Sequence, residues 1–148
     1  MFSKLQRDEK GFTIIEVLIV LAIAGLIMLI VFLAIPALQR NQRNNARNSD
    51  ASRIAAAITE CLANRNGSTG TTGNGCGVPG NIQYGTTSQL TSVTYSGSNP
   101  SGSTTAAQYS FGHRCDAEGA SATTTGASQR DFVVMYQLEP SVVRCISS

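Results

Sequence analysis

The chain has 148 residues, a formal net charge of +2 and a single histidine, which leaves room for about one domain. Residues 65–148 carry no net charge, because four arginines are balanced by four acidic side chains: Arg65, Arg114, Arg130 and Arg144 against Asp116, Glu118, Asp131 and Glu139. A nucleic-acid surface normally needs a basic patch. The composition therefore argues against nucleic acid as a partner of this region.

The first element is a long apolar run, in which only Thr13 and Glu16 are clearly polar between residues 12 and 38. As a helix these 27 residues would be roughly 40 Å long, enough to cross a hydrocarbon core of about 30 Å. The apolar core of a secretory signal peptide is much shorter, so the run predicts a membrane segment. A carboxylate at the centre of such a segment costs about 2.5 to 3.5 kcal/mol, and less near its ends. Glu16 therefore needs a partner.

The helix is predicted to continue beyond the membrane segment. Residues 39–50 are rich in asparagine and arginine. An amphipathic stripe follows at spacings of three and four: Ala51, Ile54, Ala55, Ile58 and Leu62. Asn66 and Gly67 then supply a helix stop. We expect one helix over residues 12–65, whose second half packs its stripe against a small globular head.

Residues 67–148 are predicted to form that head. Within 67–106, 25 of 40 residues are Gly, Ser or Thr, which indicates a surface loop with one strand at 91–96. Alternating apolar residues predict further strands at 107–115 and 131–139, and a last short strand at 142–146. Three or four antiparallel strands laid on the helix stripe would give an α+β fold.

All four cysteines follow the apolar run: Cys61, Cys76, Cys115 and Cys145. They have no C-x-x-C or zinc-ligand spacing. An even number beyond a membrane segment indicates disulfides in an oxidising compartment, the alternative being four free thiols in a cytoplasmic domain. Three lysines and arginines lie on each side of the run, so only the cysteines indicate that the head lies outside the cytoplasm. Three pairings are open; locality favours Cys61 with Cys76 and Cys115 with Cys145.

Nothing in the sequence indicates an enzyme, a cofactor or a metal site. His113 is the only histidine, and a nucleophile made with Cys115 would require a free thiolate. Asp116 and Glu118 suggest a calcium turn, but an EF-hand loop needs more oxygen ligands, and a solvated turn explains them. The glycines form no phosphate-binding motif. We expect no catalytic residues and no cofactor.

The N-terminal residues resemble a known family. The stretch KGFTIIE, residues 10–16, stands between a charged leader and a long apolar helix, and it is similar to the N-terminus of a type IV prepilin. The resemblance extends over residues 1–66. It implies that a membrane-embedded prepilin peptidase cuts between Gly11 and Phe12 on the cytoplasmic side and methylates the new amine of Phe12. It also implies that this amine pairs with Glu16 of a neighbouring subunit.

The same resemblance implies a division of the chain. Its parts are a cytoplasmic leader at 1–11, a transmembrane and filament-core helix at 12–38, an amphipathic continuation at 39–66, and the head at 67–148. Gly25 and Pro36 would soften the helix in an assembled filament, since proline removes a helical hydrogen bond. A disulfide loop near the C-terminus, such as Cys115 with Cys145 would form, is common in pilins.

The function implied is that of a structural subunit, the major pilin, of an extracellular filament that is a helical homo-oligomer. Before assembly the subunit would be a single-pass protein of the cytoplasmic membrane. Its implied partners are the prepilin peptidase and an assembly platform with its ATPase, and cell adhesion and twitching motility are functions of such filaments. Two alternatives stay open: a pseudopilin of a type II secretion or DNA-uptake machine, which shares this N-terminus, and a single-span adhesin that never polymerises.

Overall fold

The computed structural model describes residues 11–98 and 100–148. The predicted leader, except for Gly11, lies outside the described residues, as does Asn99. The chain divides into two compact units, one ending at Gln39 and the other spanning Arg40–Ser148. Within the described residues, all strands belong to the second unit.

The first element, α1, is a single helix over Ile14–Asn64, which confirms the helix predicted at residues 12–65. Its C-terminus is set by Asn66 and Gly67, whose left-handed backbone has φ of 52° and 76°. Asparagine and glycine tolerate this conformation best. The Gly67 N–H then donates to the Leu62 carbonyl at 2.7 Å, which satisfies one of the unpaired carbonyls of the last turn.

The first unit is an exposed apolar helix. Every residue from 11 to 39 is exposed, and the large apolar side chains there have between 41% and 88% of their surface accessible. Among the described residues, α1 alone is long and apolar enough to cross a membrane. It stays helical through Gly25 and Pro36, so a softening at these residues remains a prediction about the filament.

The described residues of the second unit form six strands: β1 Ser92–Tyr95, β2 Ala106–Phe111, β3 Arg114–Cys115, β4 Ala122–Thr123, β5 Phe132–Leu138 and β6 Val142–Ser147. Four of them form one sheet in the order β1-β2-β5-β6, and β3 pairs with β4 in a separate two-stranded sheet. A short 3-10 helix, Pro79–Asn81, lies in the long loop between α1 and β1. The predicted α+β fold, with a long N-terminal helix and a small sheet, is confirmed.

The strand predicted at residues 107–115 is wrong as a single element. Gly112 has a φ of 72°, a conformation that interrupts a strand and favours glycine. β2 therefore ends at Phe111, and β3 begins at Arg114. His113, which was predicted within the strand, lies in the connecting turn instead.

The sheet is mixed, so the prediction that all its strands are antiparallel is wrong for one pair. β1 runs parallel to β2, with Ser92 opposite Ala106, whereas the other two pairs are antiparallel. Parallel neighbours need a crossover connection, to which residues 96–98 and 100–105 belong. The Ser103 carbonyl in this segment accepts the Gln137 N–H at 3.2 Å. Gly102 allows this approach, because a Cβ there would lie 2.2 Å from the Tyr136 Cα.

The core of the second unit forms between α1 and one face of the four-stranded sheet. Ala51, Ile54 and Ile58 of the predicted stripe are fully buried, and Ala55 and Leu62 pack against them. The sheet contributes alternate side chains, among them Tyr109, Phe111, Phe132, Val134 and Tyr136. The stripe therefore packs where its spacing predicted.

The opposite face of the sheet is covered by the β3–β4 hairpin. Val133 and Met135 alternate with the core-facing residues of β5, yet they are only 0% and 4% exposed. β3 lies beside β5 and β6. The Cys145 N–H donates to the Gly119 carbonyl at 2.9 Å, which fixes the hairpin to the edge strand. β5 is consequently buried on both faces.

Within the second unit, polar contacts hold α1 to the turn between β5 and β6. Glu139 accepts hydrogen bonds from Arg43 at 2.7 and 3.0 Å and from Arg47 at 2.8 Å. The Asn44 carboxamide pairs with the Glu139 backbone N–H and carbonyl at 2.9 and 3.0 Å. Arg47 is only 3% exposed, and a buried guanidinium needs such partners. The bonds from Arg43 and then Arg47 lower the pKa of Glu139 to about 2.

The Glu139 contact predicts a pH-dependent stability. Because its pKa falls from an ordinary 4.5 to about 2 on folding, its stabilising effect is present above pH 4.5 and is lost as the pH falls towards 2. Glu139→Gln should lower the Tm of the detergent-solubilised full chain by at least about 5 °C at pH 7, since Arg47 loses its anion. Thermal melts at several pH values measure both effects.

The matched control is Glu118→Gln, which changes an exposed glutamate that forms no ion pair among the described residues. It should melt like the unmodified protein. If both variants melted alike, Glu139 would not anchor the helix.

Candidate functional site

The N-terminal segment places the predicted cleavage site in the open. Gly11 and Phe12 precede α1, and both are exposed, Phe12 by 88%. No other group lies within 4 Å of the place where a Cβ on Gly11 would stand. None of the described residues therefore blocks the access of an enzyme to the peptide bond between Gly11 and Phe12.

Glu16 has a partner within its own chain, and sequence reasoning missed it. Its Oε2 accepts the Thr13 backbone N–H at 2.9 Å and the Thr13 hydroxyl at 2.7 Å. The Thr13 Oγ1 lies 3.4 Å from the Glu16 N–H, which donates to it. These reciprocal bonds form a capping box, which satisfies free N–H groups at a helix start. The signal was present as Thr-x-x-Glu directly before an apolar run.

The capping box uses only one side of the carboxylate. Oε1 of Glu16 accepts no hydrogen bond from residues 11–98 and 100–148. A carboxylate has lone pairs on both oxygens, so Oε1 can accept a further donor without breaking the cap. The helix start thus presents an acceptor oxygen on a surface whose other side chains are almost all apolar.

Two disulfides tie the second unit together. Cys61 bonds to Cys76 and Cys115 to Cys145, with Cα atoms 6.0 and 5.6 Å apart. The first joins the end of α1 to the following loop, and the second joins β3 to β6. No cysteine is free.

The sequence offered two functional interpretations near the β3–β4 hairpin, a nucleophile at Cys115 and a calcium turn at Asp116. The contacts of these residues support neither. The Cys115 thiol is in a disulfide, so it cannot form a nucleophile with His113, whose Nδ1 lies 2.8 Å from the Phe111 carbonyl. The Asp116 carboxylate accepts from the Ala120 N–H at 2.8 Å and the Ser121 hydroxyl at 2.6 Å. These bonds, first that of Ser121, hold its pKa below the ordinary value. Asp116 therefore closes a turn.

The described residues bring together no group of three or more His, Cys, Asp or Glu side chains that could hold a metal ion. The predicted site residues belong to different units. Gly11, Phe12 and Glu16 lie at the helix start, whereas the cysteines lie in the second unit. The candidate functional site is therefore the N-terminal segment, residues 11–17, together with the apolar helix that follows.

Comparison with known proteins identifies this same segment. Residues 6–32 match the family model of the prokaryotic N-terminal methylation motif, which is the type IV prepilin signature. No curated protein and no solved structure matches the chain. The chain therefore carries the methylation motif at its N-terminus. The match does not extend to the second unit, residues 40–148.

The disulfide between β3 and β6 predicts a local effect on stability. In the Cys115→Ser/Cys145→Ser variant, amide exchange should accelerate most in residues 112–131, because the hairpin loses its covalent tie to the sheet. Closing a loop of 30 residues stabilises a fold by about 3 to 4 kcal/mol. Hydrogen-exchange mass spectrometry of the full chain measures this effect.

The matched control is Cys61→Ser/Cys76→Ser, which removes the disulfide with the shorter separation of 15 residues. Exchange should then accelerate around residues 65–77 and leave the hairpin protected. The same exchange pattern in both variants would contradict separate roles for the two disulfides.

Proposed function

We propose, from the N-terminal methylation motif that this chain carries, that it is a structural subunit of an extracellular type IV pilus-like filament. The observation that supports this most strongly is the motif on a helix whose apolar side chains are all exposed between residues 11 and 39. A continuous apolar surface of this size needs lipid or other protein to cover it. In a subunit that is first held in a membrane and then assembled through this helix, lipid covers the apolar surface first and neighbouring subunits cover it afterwards.

In this proposal Gly11 and Phe12 form the processing site. Glycine lets a protease approach the backbone closely, and no described group shields the bond between Gly11 and Phe12. A prepilin peptidase would remove residues 1–11 and methylate the new amine of Phe12. An assembly platform with its ATPase would then act as separate partners, since the sequence has no phosphate-binding motif.

Glu16 is the proposed assembly contact. Cleavage creates a cationic amine on Phe12, a group that is costly in an apolar environment. The free Oε1 of Glu16 on a neighbouring copy can accept this amine while Oε2 keeps the cap on Thr13. The two charged groups thereby become partners, and the pairing also fixes how far one helix is displaced along the next.

The two disulfides favour a pilus subunit over a pseudopilin of a type II secretion or DNA-uptake machine. Disulfides persist in oxidising compartments, and they compensate for the thin core of a small domain. The chain is then a pilin that is exposed on the cell surface after assembly. A single-span adhesin would use Glu16 only to cap its helix on Thr13, and Oε1 would have no partner.

Processing predicts the mass of the subunit in filaments sheared from cells. The chain should begin at Phe12, carry one added methyl group and lack four hydrogens, because both disulfides are formed. Gly11→Val should leave the uncleaved chain in the membrane. Intact-mass spectrometry of sheared and membrane fractions measures this.

Gly25→Val serves as the control for processing, because a side chain at Gly25 meets nothing within 4 Å. It should be cleaved like the unmodified chain. Sheared material that retained residues 1–11 would refute the proposed processing.

The assembly role of Glu16 predicts a separation between processing and polymerisation. Glu16→Ala should insert and be cleaved normally but yield at least about tenfold less sheared filament, since the charged amine of Phe12 then has no acceptor. Glu118→Ala removes an exposed carboxylate of the second unit and should assemble normally. Normal filament yield from Glu16→Ala would rule out the contact.

A further inference from the structure

A polar cleft lies between the helix and the loop that precedes β1. It has a volume of about 370 Å³ and is lined by Ala46, Ser49, Asp50, Arg53 and residues 86–88. All of these residues belong to the second unit. The cleft takes no part in processing and lies outside the methylation motif at residues 6–32.

Asp50 is the buried anion of this cleft. Its Oδ2 accepts the backbone N–H groups of Ser88, Gln89 and Leu90 at 2.9, 2.7 and 3.1 Å. Burial alone would raise the pKa of Asp50, but these amide bonds outweigh it and hold the pKa below the ordinary value. Asp50 is therefore ionised at neutral pH, and it fastens the loop to the helix.

The second oxygen of Asp50 is left for another molecule. Asp50 is only 3% exposed, and its Oδ1 accepts no hydrogen bond from residues 11–98 and 100–148. In the described part of the chain, no side-chain oxygen or nitrogen that is fully buried lacks a partner. Oδ1 must therefore supply part of the small surface that Asp50 shows to the cleft, where a hydrogen-bond donor can reach it.

Arg53 determines which donor fits. It also lines the cleft, and of its N–H groups one donates to the Thr86 carbonyl at 3.2 Å. A guanidinium has five N–H donors, so others remain for a ligand. Its charge also disfavours a metal ion beside Asp50. An acceptor oxygen and a cationic donor that line the same cleft complement a group that both donates and accepts, which is the hydrogen-bonding pattern of a primary carboxamide.

The chain displays such a carboxamide on the same helix. Asn45 is exposed, and its side chain has no hydrogen-bond partner in the described residues. At about 100° per residue it lies opposite Ile54 and about 140° around the axis from Asp50. It therefore points away from its own head and cannot reach the cleft of its own chain. Asn45 belongs to the asparagine-rich stretch at 39–50, but unlike Arg43, Asn44 and Arg47 it takes no part in the bonds to Glu139.

We propose that the Asp50–Arg53 cleft receives the Asn45 carboxamide of a second copy of this chain, as a side-to-side contact within the filament. Asn45 donates an amide N–H to Oδ1 of Asp50 and accepts from the guanidinium of Arg53. Asn45 precedes Asp50 by five residues, so parallel helices in this contact are displaced along their axes by about 8 Å. The inference rests on the proposed filament and adds a contact independent of Glu16.

A reciprocal exchange of two isosteric side chains tests the contact in the full chain. Asn45→Asp replaces the donor by a second carboxylate facing Asp50, and it should reduce sheared filament at least about tenfold. Asp50→Asn in the same chain keeps an oxygen for the amides of residues 88–90 and offers an N–H to Asp at position 45. The double variant should therefore recover filament to within about threefold of the unmodified chain.

Gln129→Glu is the matched control, because it makes the same chemical change at an exposed carboxamide in the β4–β5 loop. It should assemble normally. Intact mass verifies that each variant is cleaved and has both disulfides, and a thermal melt verifies that it folds.

Normal assembly of Asn45→Asp would overturn the contact and assign the cleft to another occupant, such as a small polar ligand. Failure of the folded double variant to recover would overturn it as well. These results leave the proposed function intact, because the unmodified chain still forms filaments. Absence of filaments from the unmodified chain would instead overturn the proposed function, and this inference with it.

Discussion

The chain is organised around an apolar helical surface that residues 11–98 and 100–148 leave uncovered. Nineteen large apolar side chains between residues 12 and 38 are exposed, and burying each contributes about 1.5 to 3 kcal/mol. These side chains are 41% to 88% accessible, so their sum is of the order of 20 kcal/mol or more, far above the cost of about 2.5 to 3.5 kcal/mol for one carboxylate in lipid. Glu16 therefore cannot keep the helix out of a membrane.

The same comparison explains why a polar group can control assembly. Lipid tails and the side chains of neighbouring apolar helices are similar solvents, so moving the helix from a membrane into a filament core changes its apolar burial little. The groups whose environment does change are the few polar ones at the helix start. Thr13 already satisfies one oxygen of Glu16, which leaves a single unsatisfied oxygen to distinguish the two environments.

The sequence predicted the apolar stripe, four strand regions and the membrane segment, because each depends on a local periodicity. It did not predict that β1 runs parallel to β2, since the direction of a strand depends on a Gly/Ser/Thr-rich connection without periodicity. The Thr13–Glu16 cap is present in the sequence as Thr-x-x-Glu, but the same glutamate also fits a partner in another chain, and the sequence does not distinguish the two. The bonds of Glu139 with Arg43 and Arg47 join residues more than 90 positions apart, and no local pattern encodes them.

The stretch at 39–50 shows how far composition can mislead. Its asparagines and arginines resemble a solvated linker, yet Arg43, Asn44 and Arg47 bind the β5–β6 turn through Glu139. The inward side of this helix is thus held by polar bonds where an ordinary helix would use apolar packing. The outward side of the same stretch is also rich in polar side chains, but these form no bonds to Glu139. Because a helix gains little from exposed asparagines, the proposed side-to-side contact gives Asn45 on the outward side a role that helix propensity does not.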